Sequence, residues 1–516
     1  MARGVAKEVF NVSPGGVREE VNPATIPDGY YLSSDNWLVR RGVGSPRPGY
    51  VQVSTAVAAA DRITGIGFRG SPLDGDNVVL HTLTAAYSWN GTSQAAITGT
   101  WTATTANKPV RLATYVSGGT TWCVRINEDN AMDKWSGTGS FANVAAAPTG
   151  RDITVVGGYL MVAAAAGDDY AVQWNTLNDV DTWPAANINR LVDTPGKLIG
   201  VRALNPLSAA IYKEDAVYIA SLQAAQTAFQ FQLVATTVGP MSPASVVATQ
   251  GTHYWLADDY AIYAFDGARV RPLTVSLGNT IFSNLQNSNR RQTHGALMQR
   301  ESNELWFFYP DVASAGVKKG FSISLATGQP AVSAFPHSFA HSITASSSWT
   351  KLNSVTINGL GTYSSTIDGL STPFPTIDSM VGTATPSMIL GDVDGKFYQF
   401  AGNATDAGTA IAWEFTHGFR PVAGLANRAE LDALVSYWKK RSSAFTVTAT
   451  VTASDSIGDA ETSSTGTFDI GTDSNHLVTF RGTRGKWVKL KHNASSNVVN
   501  TEHRGAAILS WPRAMV

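Results

Sequence analysis

The feature that most restricts the fold is a short β-strand unit that recurs along the chain. Each copy ends in an aromatic residue two positions before a glycine, as in "YSWNG" (87–91), "DKWSG" (133–137), "YAFDG" (263–267) and "YQFAG" (398–402). Runs rich in Val, Ile, Tyr, Trp and Phe precede these endings, and Gly, Asp, Asn and Ser separate the runs. The first two endings are about 45 residues apart, which is the period of a four-stranded propeller blade.

A β-propeller explains this repetition physically. A small sheet is too narrow to bury its own faces, whereas sheets that are packed radially bury the faces of their neighbours. We expect the aromatic residue to fill the space between blades and the glycine to form the turn that follows. Five to seven blades fit the region from Asp61 to Ala423. A pair of β-sandwiches is the alternative fold.

Two segments show the residue spacing of helices. The stretch "TVSLGNTIFSNLQNSNRRQT" (274–293) spaces Ile281 and Leu285 like a short amphipathic helix between blades. The stretch "NRAELDALVSYWKKR" (427–441) begins with a capping-box pattern and places several apolar residues on one helical face. The residues that carry this second pattern are Asn427, Glu430, Leu431, Leu434, Val435 and Trp438.

After this second stretch, the composition shifts to strands rich in Thr, Ser and Asp. The sequence therefore predicts an all-β protein in three parts. These parts are an extended N-terminal docking segment (1–54), a β-propeller (55–425), and a C-terminal helix with a β-sandwich platform (426–516).

The charge balance argues against a protein that grips nucleic acid. Lys and Arg number 38 against 39 Asp and Glu, and charged residues make up only 15% of the chain, where about 25% is usual. A protein that holds DNA normally carries a basic excess, because neutralising phosphates supplies its non-specific affinity. The weakly charged composition suits a surface covered by neighbours, or a large β protein with many turns.

The sequence carries no recognisable set of catalytic or metal-binding residues. The single cysteine, Cys123, lies in a strand-like run and is interpreted as a small buried hydrophobe. Asp392 and Asp394 precede Gly395 and could hold calcium, but the other ligands of a calcium loop are missing and a hairpin turn is the preferred interpretation.

The loop "NDVDTWP" (178–184) lacks the Ser and Gly of a sialidase box, so we interpret Trp183 as a packing residue. We predict no enzyme activity, no cofactor and no metal site.

The N-terminal residues "MARGVAKEVFNVSPGG" contain no apolar run of the length found in signal peptides. The longest apolar runs are also shorter than the ~20 residues that a membrane helix requires. We therefore expect assembly in the cytoplasm without membrane insertion.

The stretch "IPDGYYLSSDNWLVRRGVGSPRPGY" (26–50) has a particular order of elements. An acidic-Gly turn at Asp28 comes first, then Asn36 with an aliphatic strand, and finally an Arg-Pro-Gly end at Arg47. Pro48 fixes its own φ and favours an extended Arg47, and Gly49 allows a turn before the first blade.

This order resembles the N-terminal segment of β-propeller nozzle or hub proteins from the tails of short-tailed bacteriophages. The stretches "DYAVQWNTLNDVDTW" (169–183) and "NELWFFYPD" (303–311) are similar to that family as well. The resemblance follows the order of most of the chain.

The resemblance implies a virion structural protein that forms a ring, with six copies expected, below the portal and adaptor. Its partners would be the adaptor and further copies of itself, with tail fibres, spikes or a plug protein as others. Viral DNA would pass during ejection without specific binding. Two segments are predicted as interfaces, with the following residues: Asn36, Arg40, Arg41, Arg47, Pro48 and Gly49 in the first, and Arg481, Arg484, Lys486 and Lys489 in a basic hairpin.

Two other classes of function remain open from the sequence. One is a propeller that binds or cleaves glycans in host-receptor recognition, which would need exposed Trp residues and paired carboxylates in one pocket. The other is a general propeller scaffold for host proteins, which would be a monomer in isolation.

Overall fold

The computed structural model describes the chain from residue 6 to residue 513, with gaps in its description. The gaps are 11–16, 19–25, 27–29, 41–42, 55–56, 58–60, 71–77, 90–92, 224–227, 250, 274–280, 282, 299–302, 313–315, 329, 347–385, 404, 422–427, 440–444, 456–460, 471–474, 480–482 and 496–501. None of the helices in the described residues is long and apolar enough to cross a membrane.

Five short strands precede the blades. They are β1 (Ala6–Phe10), β2 (Tyr31–Asp35), β3 (Trp37–Arg40), β4 (Val43–Pro46) and β5 (Gly49–Gln52).

Five four-stranded antiparallel sheets follow in chain order, each with its first strand innermost and its last strand outermost. Blade one is β6 (Gly65–Phe68), β7 (Val78–His81), β8 (Ala86–Trp89) and β9 (Gln94–Ile97). Blade two is β10 (Arg111–Ser117), β11 (Thr120–Ile126), β12 (Asp133–Trp135) and β13 (Ala142–Asn143). Blade three is β14 (Asp152–Val156), β15 (Tyr159–Ala163), β16 (Ala171–Trp174) and β17 (Ile188–Arg190). Blade four is β18 (Leu198–Asn205), β19 (Ser208–Lys213), β20 (Ala216–Leu222) and β21 (Phe229–Thr236). Blade five is β22 (Val246–Ala248), β23 (His253–Leu256), β24 (Ile262–Phe265) and β25 (Val270–Leu273).

Two further blades share one long strand. Blade six is β26 (His294–Met298), β27 (Glu304–Asp311), β28 (Gly316–Ser324) and the first half of β29 (Pro330–Ser346). The second half of β29 is the inner strand of blade seven and pairs with β30 (Pro386–Asp392), which pairs with β31 (Phe397–Asn403). The outer strand of blade seven is β5 from the N-terminal segment, with Tyr50 opposite Phe400.

The described residues thus form a seven-bladed β-propeller. The inner strands β6, β10, β14, β18, β22, β26 and β29 lie next to one another in a ring, and β29 returns to β6. Because β5 precedes blade one in the chain but completes blade seven, it ties the two ends of the ring together.

The aromatic-x-Gly endings lie where the propeller interpretation requires them. Trp89, Trp135, Phe265 and Phe400 all lie on or at the third strand of a blade and are buried. Trp135, for example, packs in one cluster with Val79 of blade one, and Phe400 packs with Trp306 of blade six. Each side chain therefore fills the space toward the preceding blade.

Glycines in the inner strand of blade one permit close approach to blade two. A Cβ atom on Gly65 would lie 2.5 Å from the Val110 carbonyl oxygen, and one on Gly67 would lie 2.5 Å from the Leu112 Cβ. Both positions therefore exclude any larger residue unless the blades separate.

Two short hairpin strands, β32 (Thr405–Asp406) and β33 (Thr409–Ala410), lie against β5. The rest of the chain forms two facing sheets. Its strands are β34 (Trp413–His417), β35 (Arg420–Pro421), β36 (Arg428–Lys439), β37 (Phe445–Ser454), β38 (Thr462–Ile470), β39 (Asn475–Thr479), β40 (Arg484–Gly485), β41 (Trp487–Ala494) and β42 (Glu502–Arg513).

The N-terminal strands complete this sandwich. One sheet contains β1, β3 and β4 beside β42, β36, β39 and β40, and the other contains β2 beside β34, β35, β41, β37 and β38. The two sheets bury one aromatic core, in which the Trp37 and Trp413 rings are 4.7 Å apart. This core continues into the apolar residues between blades five and six, so the sandwich packs directly on the propeller.

The predicted helix at 427–441 is wrong, because residues 428–439 form strand β36. This strand pairs with β42 on one side and with β39 and β40 on the other. A bulge between Leu431 and Ala433 inserts one residue, so Leu431 and Leu434 both lie in the sandwich core although they are three positions apart. The i, i+3, i+7 pattern that suggested a helix therefore arises from a bulged strand.

The other stretch with helical spacing has local helical structure where it is described. The Leu285 N–H donates to the Ile281 carbonyl over 2.8 Å, and a 3-10 helix, named here the cap segment, spans Asn287–Gln292. Residues 274–280 lie outside the described residues.

Candidate functional site

The central channel of the propeller is a cavity of about 440 Å³ that is lined by the inner strands of all seven blades. Most of its lining is aliphatic or small, including Ile66, Leu112 and Ile153. Three charged or titratable side chains, Arg111, Arg202 and His341, also line it.

One end of the channel is covered by the cap segment. Arg62 before blade one donates to Gln292 over 2.6 Å, and Gln292 donates to Asn107 before blade two over 3.1 Å. On the far side of the ring, Arg290 pairs with Asp258 of blade five at 3.0 Å. The cap segment therefore bridges opposite blades and lies across the mouth where the inner strands begin.

A buried ionic cluster lies at this end of the channel. The Asp152 carboxylate accepts from Arg111 Nε at 2.9 Å, from Arg202 Nη1, and from the Val201 backbone N–H at 3.0 Å. A Cβ on Gly200 would lie 2.8 Å from Asp152 Oδ2, so glycine leaves room for this carboxylate. Two guanidinium groups thus share one carboxylate.

Two histidines complete the cluster. Arg111 Nη1 donates to His341 Nε2 over 3.3 Å, and the His341 and His294 rings stack 6.3 Å apart. Burial lowers the pKa of His341 well below its usual value, and the nearby Arg111 lowers it further. Burial likewise lowers the pKa of His294 to about 3. Both rings are therefore neutral near pH 7.

The predicted interface residues of the N-terminal segment form a joint between the propeller and the sandwich. The Arg47 side chain has 0% exposure and binds both oxygens of Asp406, with Nη1 to Oδ1 at 2.8 Å. It also donates to Asn36 Oδ1 over 2.7 Å and to the Ala334 carbonyl over 3.0 Å, and it lies 4.4 Å above the Phe335 ring.

Asn36 is the second anchor of the joint. Its φ of 54° is in the left-handed region, which asparagine tolerates better than most residues. Its Nδ2 donates to the Ala412 carbonyl over 2.8 Å, and its backbone N–H donates to the Val332 carbonyl over 3.0 Å. Asn36 and Arg47 are thus buried and hydrogen-bonded within the chain, and an interface role for them stays a prediction.

The other residues of this segment differ in exposure. Arg40 is partly exposed and binds Glu304 of blade six through Nε at 2.6 Å and Nη2 at 2.8 Å. Pro48 is half-buried and Gly49 is buried in β5. Arg41 lies outside the described residues. An interface role for Arg40 and Pro48 stays a prediction.

The basic hairpin lies in the sandwich. Arg484 is exposed on β40, and Lys486 is half-buried before β41. Lys489 pairs with Glu461 at 3.1 Å and lies 5.0 Å from the Phe419 ring centre, while Arg481 is not among the described residues. The structure therefore places this group and the Asn36 group on different strands, and their interface role stays a prediction.

Residues considered for chemistry have structural partners. Asp392 Oδ1 accepts from the backbone N–H of Asp394 and Lys396, and Oδ2 accepts from the Tyr398 hydroxyl at 2.8 Å, as expected of a hairpin turn. Cys123 is fully buried, which raises the pKa of its thiol to about 12. Trp183 is buried in the cluster between blades two and three. In the described part of the chain, no group of three or more His, Cys, Asp or Glu side chains could hold a metal ion.

The channel cluster was not identified from the sequence. Arg111, Asp152 and Arg202 belong to three different blades, and His341 belongs to a fourth. Each of the four residues lies on the inner strand of its blade. A sequence alignment of the blades by their inner strands would therefore have shown that all four face the channel region.

Comparisons with known proteins yielded structural matches only. No protein-family model matches the chain, and no curated protein matches it. Among solved structures, BamB from Moraxella catarrhalis is 9% identical, with a TM-score of 0.33 over 68% of this chain and 97% of that chain. A chain of the Mitotic Checkpoint Complex (9% identity, TM-score 0.38, 71% and 99% coverage) and BBS1N in complex with ARL6DN (9%, 0.38, 69% and 99%) are also similar. The blade sheets and their closure establish the propeller independently of these weak similarities.

Proposed function

We propose that this chain is a structural protein of a bacteriophage tail. In this proposal, six copies form a ring below the portal and adaptor and surround the path of the ejected DNA. The observation that carries the proposal is the order of elements in residues 26–50, which resembles the N-terminal segment of β-propeller nozzle proteins. The propeller fold is consistent with that resemblance.

The place of this segment in the fold supports the proposal. Its strands β2 to β5 are divided between the sandwich and blade seven, and Arg47 and Asn36 connect the two units through buried hydrogen bonds. A ring subunit that contacts its neighbours through both units needs a fixed angle between them, and a buried joint supplies it.

The size of the propeller channel limits where DNA could pass. A cavity of about 440 Å³ falls in the range of small-molecule sites, about 300–1,000 Å³, and the cap segment lies across one end. The DNA path would therefore be the opening enclosed by the copies of the ring.

A closed ring requires two different complementary surfaces on each copy. One candidate is the end of blades two to four where the inner strands end, because exposed apolar side chains occur on each of these blades there: Val116, Leu177 and Leu207 are 56%, 49% and 62% exposed. Ser117 donates to the Asn178 carbonyl over 2.9 Å, which holds the loop carrying Leu177 beside the end of β10. Exposed apolar side chains that recur on one end of neighbouring blades are a candidate protein–protein contact.

The test is to mix the purified chain with a portal–adaptor complex and to determine mass and symmetry by mass photometry and cryo-electron microscopy. A ring on the adaptor supports the proposal, and a chain that stays monomeric beside the adaptor overturns it. The double variant Leu177→Asp/Leu207→Asp should abolish ring formation. Val312→Asp, at an equally exposed valine on blade six (59%), should leave the ring intact.

The second candidate is a glycan-binding propeller. A cavity of about 350 Å³ beside blade two is lined by Trp101, Asn130, Asp133 and Asn143, a set of side chains that sugars often contact. The Arg125 guanidinium lies 4.2 Å from the Trp101 ring centre, so one face of this ring is already covered. A glycan array probed with the wild-type protein and with Asn143→Ala tests this function. Glycans that bind the wild type but not the variant would support it, and any other result would contradict it.

A further inference from the structure

The central channel contains more positive than negative charge. Arg111 and Arg202 are positively charged and share Asp152 alone as their carboxylate partner among the described residues. The histidines beside them are neutral, because burial lowers their pKa values. The cluster therefore carries a net charge of about +1 inside the fold, where solvent screens it poorly.

Arg111 still has hydrogen atoms to donate. Of the five N–H groups of a guanidinium, Nε uses one with Asp152 and Nη1 uses one with His341. Among the described residues no acceptor faces the others. Burial lowers the pKa of Arg111 to about 10, with Arg202 as the second cause and Asp152 opposing both. Arg111 therefore stays charged near pH 7, with a charge only partly compensated.

His341 holds Arg111 from the other side and leaves one polar atom of its own unsatisfied. Arginine can only donate, so His341 Nε2 accepts from Arg111, and the hydrogen of the neutral ring is on Nδ1. This Nδ1 is buried and has no hydrogen-bond partner in the described part of the chain. A buried unsatisfied donor costs about 1–3 kcal/mol, and the same side chain lines the cavity.

Arg202 is held differently. Its Nη1 donates to Asp152 and to the Val201 carbonyl, and its Nη2 donates to the Pro243 carbonyl over 2.7 Å. Arg202 thus fixes Asp152 and adds positive potential. Arg111 keeps three N–H groups without an acceptor among the described residues, whereas Arg202 keeps two.

We propose that the central channel binds a small oxyanion, a phosphate or carboxylate group, through Arg111, which His341 holds in place. Guanidinium groups pair with both kinds of oxyanion through two parallel hydrogen bonds, and the cavity has the volume of a small-ligand site. The bound anion would neutralise the excess charge and accept from the N–H groups of Arg111 that have no acceptor among the described residues. This inference does not depend on the proposed role in a phage tail.

The test is isothermal titration of the intact protein with inorganic phosphate and, separately, with acetate, against sodium chloride of equal ionic strength. We expect saturable binding of one anion per chain. Arg111→Gln should weaken it about tenfold or more, because a charge-assisted pair is lost. The control is Arg190→Gln, which removes the same charge from a surface pair with Asp168 (60% exposed) and should bind like the wild type.

The relative affinities of the two probes identify the preferred class of anion. Absence of saturable binding of either anion to the wild type overturns the proposal, as does equal binding by Arg111→Gln and wild type. If Arg111→Gln fails to fold, wild-type crystals soaked in selenate supply the answer. Anomalous density within hydrogen-bond distance of Arg111 supports the site, and an empty channel overturns it.

Discussion

Arg47 at the joint and Arg111 in the channel are both buried arginines paired with an aspartate, but their surroundings differ. Arg47 binds both oxygens of its own Asp406 and three further oxygens of the chain, which are Asn36 Oδ1 and the carbonyls of Ala334 and Pro48. Arg111 shares Asp152 with Arg202 and its remaining contact is to the nitrogen of a neutral histidine.

The number of hydrogen-bond acceptors around each guanidinium distinguishes an arginine that stabilises the fold from one that can bind a ligand. A buried ion pair is tolerated when hydrogen bonds satisfy both partners, as they do at the joint. In the channel the described residues supply acceptors for only two of the five N–H groups of Arg111, which is the basis of the anion site proposed above. The degree of burial alone would not have distinguished Arg47 from Arg111, because both side chains are largely buried.

The largest effect is expected at the joint. Arg47→Met leaves Asp406 buried without its partner, which should lower the free energy of unfolding by about 3–5 kcal/mol. Equilibrium urea unfolding followed by tryptophan fluorescence measures this loss. The double variant Arg47→Met/Asp406→Leu should recover much of it, because the buried charge is removed as well. A loss below about 1 kcal/mol in the single variant would contradict the structural role of Arg47.

Acid should act on the channel through its histidines. The folded pKa of His294 is about 3 against 6.5 for the free side chain, mainly because of burial; the hydrogen bond to the Phe339 backbone opposes this shift, and Arg62 adds to it. Its neutral form thus stabilises the fold fully above pH 6.5, and this contribution is lost as the pH falls toward 3. At pH 5 the loss is about 2 kcal/mol.

The variant His294→Gln isolates this effect, since glutamine cannot titrate. Wild type and variant are unfolded with urea at pH 8 and pH 5, and the wild type should lose about 2 kcal/mol more between the two. Other buried histidines, such as His417 and His492 in the sandwich, act equally in both proteins. Identical losses would show that His294 is not the neutral buried group described here.

A smaller effect on stability is expected from Arg111→Gln. Asp152 keeps Arg202 and the Val201 N–H, so the free energy of unfolding should fall by only about 1 kcal/mol in anion-free buffer. Urea unfolding of Arg111→Gln and Arg47→Met under the same conditions compares their free energies of unfolding directly. A loss as large as that of Arg47→Met would mean that the two arginines do not differ as proposed.

The smallest effect is expected at the surface. Arg190→Gln breaks a pair with Asp168 in which the arginine is 60% exposed, and such pairs contribute about 0–1 kcal/mol. The same urea experiment should place this variant within about 0.5 kcal/mol of the wild type. A larger loss would show that exposure to solvent does not weaken the contribution of an arginine–aspartate pair in this protein.

The sequence predicted the propeller because its evidence is local and repeated. Trp89, Trp135, Phe265 and Phe400 lie at the same position in four blades, so the pattern needs no knowledge of distant contacts. The sequence could not give the blade number, since blade six and blade seven share β29 and blade seven takes its outer strand from residues 49–52. The channel cluster was also missed, because Arg111 and His341 are far apart in the chain.

The amino-acid sequence by itself determined the strands, turns and interblade aromatics, since these follow from side-chain periodicity over a few residues. Only the tertiary structure decided which distant strands pair. The same stretch of sequence at 428–439 has a helical pattern in isolation, but it becomes a bulged strand because β42 and β39 supply hydrogen-bond partners on both sides. Pairing with distant strands also made Arg47 a buried anchor and Arg111 a channel residue, because the acceptors around each arginine come from other parts of the chain.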